Sequence, residues 1–419
     1  FDEHQLLDII SFYEDEKMIH KAIEAVDLAL SQYKYRFDFY LLKIRLLLKA
    51  GDYTGALETV YKAERLSPYE FDLLLKKSRV FYYLKEFARS LEVLDLLRAH
   101  HPMRSDEADI YIMEAYIYEA LKDYDSMFDV LRDALIDNPL RADALEKIWM
   151  AVEFSKRYED SVEFHERLID QEPYNAHAWY NLGHAHSCLN NYELAIDALE
   201  YSYLILPEFQ MAYRDCAELC MLTSNFDRAQ HIYEDELQRF GPDSDLLCDL
   251  GACYLKLDKV QLAIQRLRQA HALNPDNDEA KYLLATAHLR LGDTVRAIPL
   301  LLEALEIEDR REEYYARLAS AYQQCGELTQ ADFFYRKATE TGPEQLELWI
   351  EHAKFLYDSK EYERALCILE EAEYHTVGTE LIYCKGACLI RMNQLEEVVT
   401  LLEIALEETS CALTILNTF

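Results

Sequence analysis

Apolar residues recur at helical spacing along most of the chain, and short polar segments separate the stretches. Residues 176–209 show the pattern clearly, with the sequence AHAWYNLGHAHSCLNNYELAIDALEYSYLILPEF. Apolar positions with a period near 3.6 lie on both sides of Asn190 and Asn191, a pair that favours a turn. This segment is therefore predicted to form a helix, a turn and a second helix.

Prolines mark the end of this unit at a regular interval. Pro68, Pro102, Pro139, Pro173 and Pro207 lie 34, 37, 34 and 34 residues apart. Pro275 and Pro343 continue the series at intervals of two repeats each. Because proline lacks an amide hydrogen and disfavours helix at the preceding residue, it ends the second helix of each repeat. The sequence predicts an array of helical hairpins.

The same frame begins twelve repeats, which cover residues 3–412 as one continuous array. They begin at Glu3, Phe37, Phe71, Ala108, Ala142, Ala176, Gln210, Ser244, Asp278, Glu312, Leu346 and Thr379. An insertion, residues 105–107, and one missing residue near Val377 shift the register. Because a repeat in such an array contacts mainly its neighbours, no internal domain boundary is expected. Residues 413–419 are predicted to form a partial capping helix, or else to begin a further helix.

Small residues recur where the two helices of a hairpin should cross. The eighth position is small in nine of the twelve repeats, and the twentieth is small in ten. Ile10, Ile44 and Trp149 depart from this rule at the eighth position and predict local irregularities. The insertion precedes the fourth repeat and Trp149 lies in the fifth, so repeats four and five are a candidate joint. Pro299 lies inside a predicted second helix, which it should kink unless it lies close enough to the first turn.

The repeat carries a recognisable set of residues. Trp179, Leu182, Gly183, Ala195 and Pro207 fall at its fourth, seventh, eighth, twentieth and thirty-second positions. This set is similar to the tetratricopeptide signature, and the resemblance covers nearly the whole chain. It implies an all-α fold, a right-handed α-solenoid or superhelix of antiparallel helix pairs. It also implies that the first helices line a concave groove that binds extended or helical peptides.

In the family that the chain resembles, positions two, five, nine, twelve and thirteen of the first helix face the groove. We predict peptide-binding residues at Arg45, Lys49, Arg79, Tyr83, Tyr116, Tyr180 and His184. Further groove positions hold Tyr82, Arg214, Tyr282, Arg290, Lys354, Tyr357 and Tyr383. Some family members clamp an acidic chaperone tail, but Glu146 and Met150 stand here where that clamp has lysine and asparagine, which disfavours this role.

Arg45, Lys49 and Arg79 are further predicted to form a basic strip that engages carboxylates of a partner segment. The local charge motivates this hypothesis, because residues 34–98 hold 13 basic and 9 acidic side chains, a balance of +4 in a chain whose formal net charge is −35. The alternative is that the three cations only neutralise nearby carboxylates on solvated helices, where ion pairs contribute little.

Charge and composition also narrow the partner class. With 43 basic and 78 acidic residues, the chain should repel a polyphosphate backbone, so nucleic acid is not predicted as a partner. Charged residues interrupt every apolar run, so no membrane insertion is expected. Ten cysteines without C-x-x-C pairs indicate a reducing cytoplasm. The partner is expected to be a protein or peptide, and self-association stays open.

No nucleophile elbow, phosphate loop or dinucleotide fingerprint is present, so we expect neither an enzyme nor a cofactor. His177, His184, His186 and Cys188 form the best metal candidate, but His186 falls at a core position and no metal site is predicted. The predicted function is a protein-interaction scaffold. The alternatives are a noncatalytic regulatory or structural subunit of a larger enzyme or trafficking assembly, and a sensor of a peptide signal.

Overall fold

The computed structural model describes residues 2–101 and 107–401, and within these ranges the chain is helical, with short turns and no strand. The helices are α1 (Glu3–Asp15), α2 (Ile19–Gln32), α3 (Phe37–Ala50), α4 (Tyr53–Glu64), α5 (Phe71–Tyr83), α6 (Phe87–His100), α7 (Glu107–Leu121), α8 (Tyr124–Asp137), α9 (Ala142–Ser155), α10 (Tyr158–Gln171), α11 (Ala176–Cys188), α12 (Tyr192–Ile205), α13 (Gln210–Leu222), α14 (Phe226–Phe240), α15 (Ser244–Lys256), α16 (Val260–Leu273), α17 (Asp278–Arg290), α18 (Thr294–Ile307), α19 (Glu312–Cys325), α20 (Leu328–Thr341), α21 (Leu346–Asp358), α22 (Tyr362–Ala372) and α23 (Thr379–Arg391). Residues 395–401 are helical as well. The predicted all-α solenoid of helix pairs is confirmed.

The chain separates into two compact units, residues 1–216 and residues 217–419. Within each unit a helix packs on its partner in the pair and on the next pair along the chain. The first helices begin where the sequence frame begins a repeat, except α7, which begins one residue earlier at Glu107. The continuous array over residues 3–412 stays a prediction. The predicted cap at residues 413–419 and most of the insertion at residues 105–107 lie outside the described residues.

A residue in the left-handed backbone conformation closes the turn inside most helix pairs. It is glycine at Gly51, Gly292 and Gly326, and elsewhere it is Lys17, Lys85, Lys122, Lys156, Asn190, Ser224, Asp258, Lys360 or Asn393. The second helix is then capped in several pairs by an aspartate. Asp52 and Asp123 each accept a hydrogen bond from the backbone N–H three residues further on, at 2.8 Å and 3.2 Å.

The crossing of the two helices explains the small residues at position eight. A Cβ atom on Gly183 would lie 2.7 Å from Cγ of Leu199, and one on Gly251 would lie 2.5 Å from Cγ of Leu267. Both leucines are fully buried. The backbones therefore approach so closely that any side chain at these positions must displace a core leucine.

The predicted irregularities have different outcomes. α9 and α10 approach each other closely at few residues, in line with the bulky Trp149 at the crossing position of that pair. Ile10 and Ile44 are instead buried in pairs that pack closely. Pro299 lies within α18, which continues from Thr294 to Ile307.

In the part of the chain that the structure describes, no helix is both long and apolar enough to cross a membrane.

Candidate functional site

The predicted basic strip begins with two cations on α3 that hold one carboxylate. Arg45 and Lys49 each place a side-chain nitrogen 2.6 Å from an oxygen of Glu14, at the end of α1. The Glu14 side chain is only 13% exposed, whereas both cations are about half exposed. Burial raises the pKa of Glu14, but the hydrogen bonds and charges of Lys49 and Arg45 outweigh burial and leave that pKa below its ordinary value.

The strip continues on α5 with Arg79 and a residue that the sequence analysis missed, Lys76. Among the described residues neither of them forms an ion pair, and Arg79 is exposed. Burial lowers the pKa of Lys76; the charge of Asp72 raises it, and the charges of Arg79 and Arg45 lower it further. Lys76 falls at position six, outside the groove positions of the family. Its spacing of three residues from Arg79 was the signal in the sequence that could have identified it, because residues three apart lie on the same face of a helix.

Tyr83 and Tyr116 lie beside this strip with aromatic neighbours. Tyr83 stacks on Tyr53, with ring centroids 5.0 Å apart, and its other neighbour is Tyr82. Tyr82 in turn lies 6.5 Å from Tyr116, and Nζ of Lys147 lies 4.5 Å above the Tyr116 ring. Both predicted tyrosines therefore keep an exposed edge but have one face covered from within the protein.

Tyr180 and His184 form a separate group on α11. The Tyr180 hydroxyl donates to Oδ2 of Asp215 at 2.5 Å, and Nε2 of His184 lies 3.0 Å from the same oxygen. The Trp149 ring centroid lies 5.0 Å from that of His184. Asp215 was also missed from the sequence, because it contributes from the next repeat. Within the described ranges, no three histidine, cysteine or acidic side chains converge so as to hold a metal ion.

The second compact unit has its own groove between first helices. A cavity of about 390 Å³ is lined from α17, α19 and α21, including Tyr282, Arg317, Glu351 and Lys354. Lys354 also borders a smaller, largely apolar cavity of about 290 Å³, with Tyr357, Tyr383, Cys384 and Cys388. Arg290, predicted for the groove, instead donates to the backbone carbonyl of Leu255 at 2.5 Å.

Comparison with known proteins finds tetratricopeptide repeat models that match parts of this chain. A family model described as tetratricopeptide repeat matches residues 254–322, and a second matches residues 176–202 and 312–344. The curated relatives include the BBSome complex member BBS4 of Bos taurus, 24% identical over 301 residues, and Superkiller protein 3 of Schizosaccharomyces pombe, 24% identical over 134 residues. The matches cover 69% and 32% of this chain but only 57% and 10% of those proteins.

The solved structures to which this chain is similar include the APC/C hetero-tetramer Cut9–Hcn1. That match has a TM-score of 0.45 and 14% identity, and it covers 92% of this chain and 96% of the other. Yeast Tom70 gives a TM-score of 0.39 and 16% identity, with coverage of 86% and 96%. YrrB, whose structure is described as having an unusual peptide-binding site, gives 0.38 and 19%, with coverage of 47% and 97%.

Proposed function

The chain belongs to the tetratricopeptide repeat family, and from this premise we propose that it is a noncatalytic scaffold that binds an acidic segment of a partner protein along its first helices. One observation carries the proposal. Lys76 and Arg79 have no ion-pair partner among the described residues, and they lie next to the Arg45–Lys49 pair that already holds a carboxylate.

Glu14 indicates which chemistry this surface accepts. Its carboxylate lies at charge-assisted hydrogen-bond distance from two cations, and their charges lower its pKa in spite of burial. A partner carboxylate beside Lys76 would add to the negative charge of Asp72 and form the ion pair that this lysine lacks among the described residues. Burial is the main cause of the lowered pKa of Lys76, and the charges of Arg79 and Arg45 lower it further against the opposing charge of Asp72.

The contact with Glu14 also limits the proposal. Arg45 and Lys49 neutralise a carboxylate of their own chain, as the alternative interpretation of the basic strip expects. The proposed contacts with a partner therefore rest mainly on Lys76 and Arg79. Arg45 and Lys49 are half exposed and contribute positive potential to this surface.

The test uses a fluorescein-labelled peptide of alternating glutamate and leucine, with a glutamine–leucine peptide as the uncharged comparison, and measures anisotropy at several salt concentrations. The Lys76→Glu, Arg79→Glu variant should bind the acidic peptide about tenfold more weakly or worse. The reason is that a hydrogen bond to a charged group contributes roughly 2 kcal/mol. The matched control is Lys62→Glu, Arg65→Glu, which reverses two exposed charges at the end of the second helix α4.

A second substitution tests the competition with the internal carboxylate. Glu14→Gln should strengthen binding of the acidic peptide, because it releases Arg45 and Lys49 for the partner. Equal binding of the two peptides, or an affinity that the Lys76→Glu, Arg79→Glu variant leaves unchanged, would reject the proposed site.

A role as a subunit of a larger assembly is a second proposal, because the relative with the wider coverage, BBS4, is described as a complex member. This role predicts that the chain in native extract elutes at a mass well above 49.2 kDa. We also propose a cytoplasmic location. None of the described cysteines forms a disulfide, which is consistent with a reducing compartment.

A further inference from the structure

A cavity away from the first-helix groove lies in the first compact unit, between the second helices α10 and α12. Its volume is about 500 Å³, and α11 forms its back. Buried apolar side chains, those of Ile169, Leu182 and Ala198, line its deeper part. The cavity thus has an apolar floor on which the aliphatic part of a side chain could pack.

Carboxylates form the rim of this cavity. Glu166 and Asp170 stand four residues apart on α10, so they share one face of that helix, and Asp197 contributes from α12. Glu166 and Asp170 are exposed, and neither forms an ion pair with any residue that the structure describes. Glu166 and Asp170 therefore offer negative charge that the described part of the protein does not use for its own ion pairs.

Two aromatic rings form a wall beside these carboxylates. The ring centroids of Trp179 and Tyr201 lie 4.8 Å apart, and the Trp179 indole donates to the carbonyl oxygen of Pro173 at 2.9 Å, which fixes its orientation. Tyr201 is 52% exposed. The fold does not require tyrosine here, because the same repeat position holds Arg167 and Lys337 in two other repeats.

His186 of α11 also lines the cavity. Its side chain is 7% exposed, and its buried Nδ1 has no hydrogen-bond partner. Burial lowers the pKa of His186, against the opposing charge of Glu166, so the imidazole is neutral at physiological pH. A neutral imidazole in the lining does not repel a cation.

We propose that this cavity binds an arginine side chain of a partner polypeptide. The guanidinium lies over the wall of Trp179 and Tyr201 and pairs with Glu166 and Asp170. Arginine fits better than lysine, because its planar cation stacks on aromatic rings and offers several donors in fixed directions. The net negative charge of the chain also attracts a basic partner segment.

This inference is independent of the proposed groove, which takes the opposite charge. The experiment is ¹⁹F NMR of the full chain labelled with 5-fluorotryptophan. The chain has three tryptophans. Trp179→Phe assigns the resonance of the cavity, and the probe is N-acetyl-arginine amide. Its citrulline counterpart, which has a similar shape without the charge, is the comparison, and the lysine counterpart tests the preference for a planar cation.

The arginine probe should shift the Trp179 resonance saturably and leave those of Trp149 and Trp349 in place. The citrulline probe should bind at least tenfold more weakly. The Glu166→Gln, Asp170→Asn variant should lose affinity for the arginine probe by a similar factor, whereas a charge-matched control, Glu153→Gln with Glu208→Gln, should not.

Three results would overturn the proposal: no shift of the Trp179 resonance, equal binding of the citrulline probe, or full affinity in the variant without the two rim carboxylates. The Lys76→Glu, Arg79→Glu variant should bind the arginine probe like the unmodified chain. That comparison separates a failure of this cavity from a failure of the first-helix site.

Discussion

Acid should destabilise the first compact unit through His165, a fully buried residue of α10. Its Nδ1 donates to the carbonyl oxygen of Ser161 at 2.8 Å, and its buried Nε2 has no hydrogen-bond partner. Burial lowers the pKa of His165 from 6.5 to about 4, although the Ser161 carbonyl opposes this. The native state therefore keeps this imidazole neutral at a pH where the unfolded chain binds a proton.

The sign and size of the effect follow from that difference in pKa. The stabilisation is complete above pH 6.5 and is lost as the pH falls towards about 4, because protons bind preferentially to the unfolded chain over this range. At about pH 5, with these two pKa values, the expected loss from His165 alone is about 2 kcal/mol. A native pKa one unit higher would change this loss only slightly.

Urea unfolding followed by circular dichroism at about pH 7.5 and about pH 5 measures the loss. The comparison is with His165→Met, which keeps a similar volume and every other titrating group. The unmodified chain should lose about 2 kcal/mol more between the two pH values than the variant. An NMR titration of the His165 ring should show the neutral form down to nearly pH 4. Equal pH dependence of the two proteins, or a midpoint near 6.5, would refute the reasoning.

Three substitutions test other parts of the fold, each by urea or thermal unfolding. Gly251→Val should destabilise by about 3 kcal/mol, because the added atoms collide with buried Leu267; an unchanged midpoint would contradict the close helix crossing. Glu114→Gln should lower the free energy of unfolding by about 2 kcal/mol, because Arg98 loses its charged partner. The Arg98 guanidinium makes two hydrogen bonds to Glu114 and is partly exposed. An unchanged free energy of unfolding would mean that water replaces this contact. Pro299→Ala should stabilise by about 1–3 kcal/mol, because it restores a backbone donor inside α18; a lower melting temperature would show that the ring packs usefully.

The sequence was sufficient for the repeats because local rules determine them. Proline ends the second helix, and small residues are needed at the crossing, so the frame places the beginnings of α5 at Phe71 and α11 at Ala176. Gly183 illustrates the point, since its contact with Leu199 follows from two positions of one repeat.

The site was harder to predict because its contacts join different repeats. Glu14 meets Arg45 and Lys49 across 31 and 35 residues, and no periodic pattern specifies which side chains of neighbouring helices will pair. Lys76 was missed because the family pattern excludes its position, although it lies one helical turn before Arg79.

The second-helix cavity was also missed. Trp179 was assigned a place in the repeat signature, and only the fold brings its ring against Tyr201 and beside the carboxylate of Asp170. Its position in the signature explains why the repeat carries a large residue there. It does not reveal which side chains of the neighbouring helices surround that residue.

Affinity capture from native extract, with the purified chain as bait and mass spectrometry as the readout, tests the central claim most directly. The bait is compared with its Lys76→Glu, Arg79→Glu variant and with the Lys62→Glu, Arg65→Glu control. We expect a partner that the unmodified chain and the control retain, that the Lys76→Glu, Arg79→Glu variant loses, and whose binding weakens as salt is raised. A partner held equally by all three baits would contradict the first-helix site, and the absence of any captured protein would contradict the scaffold itself.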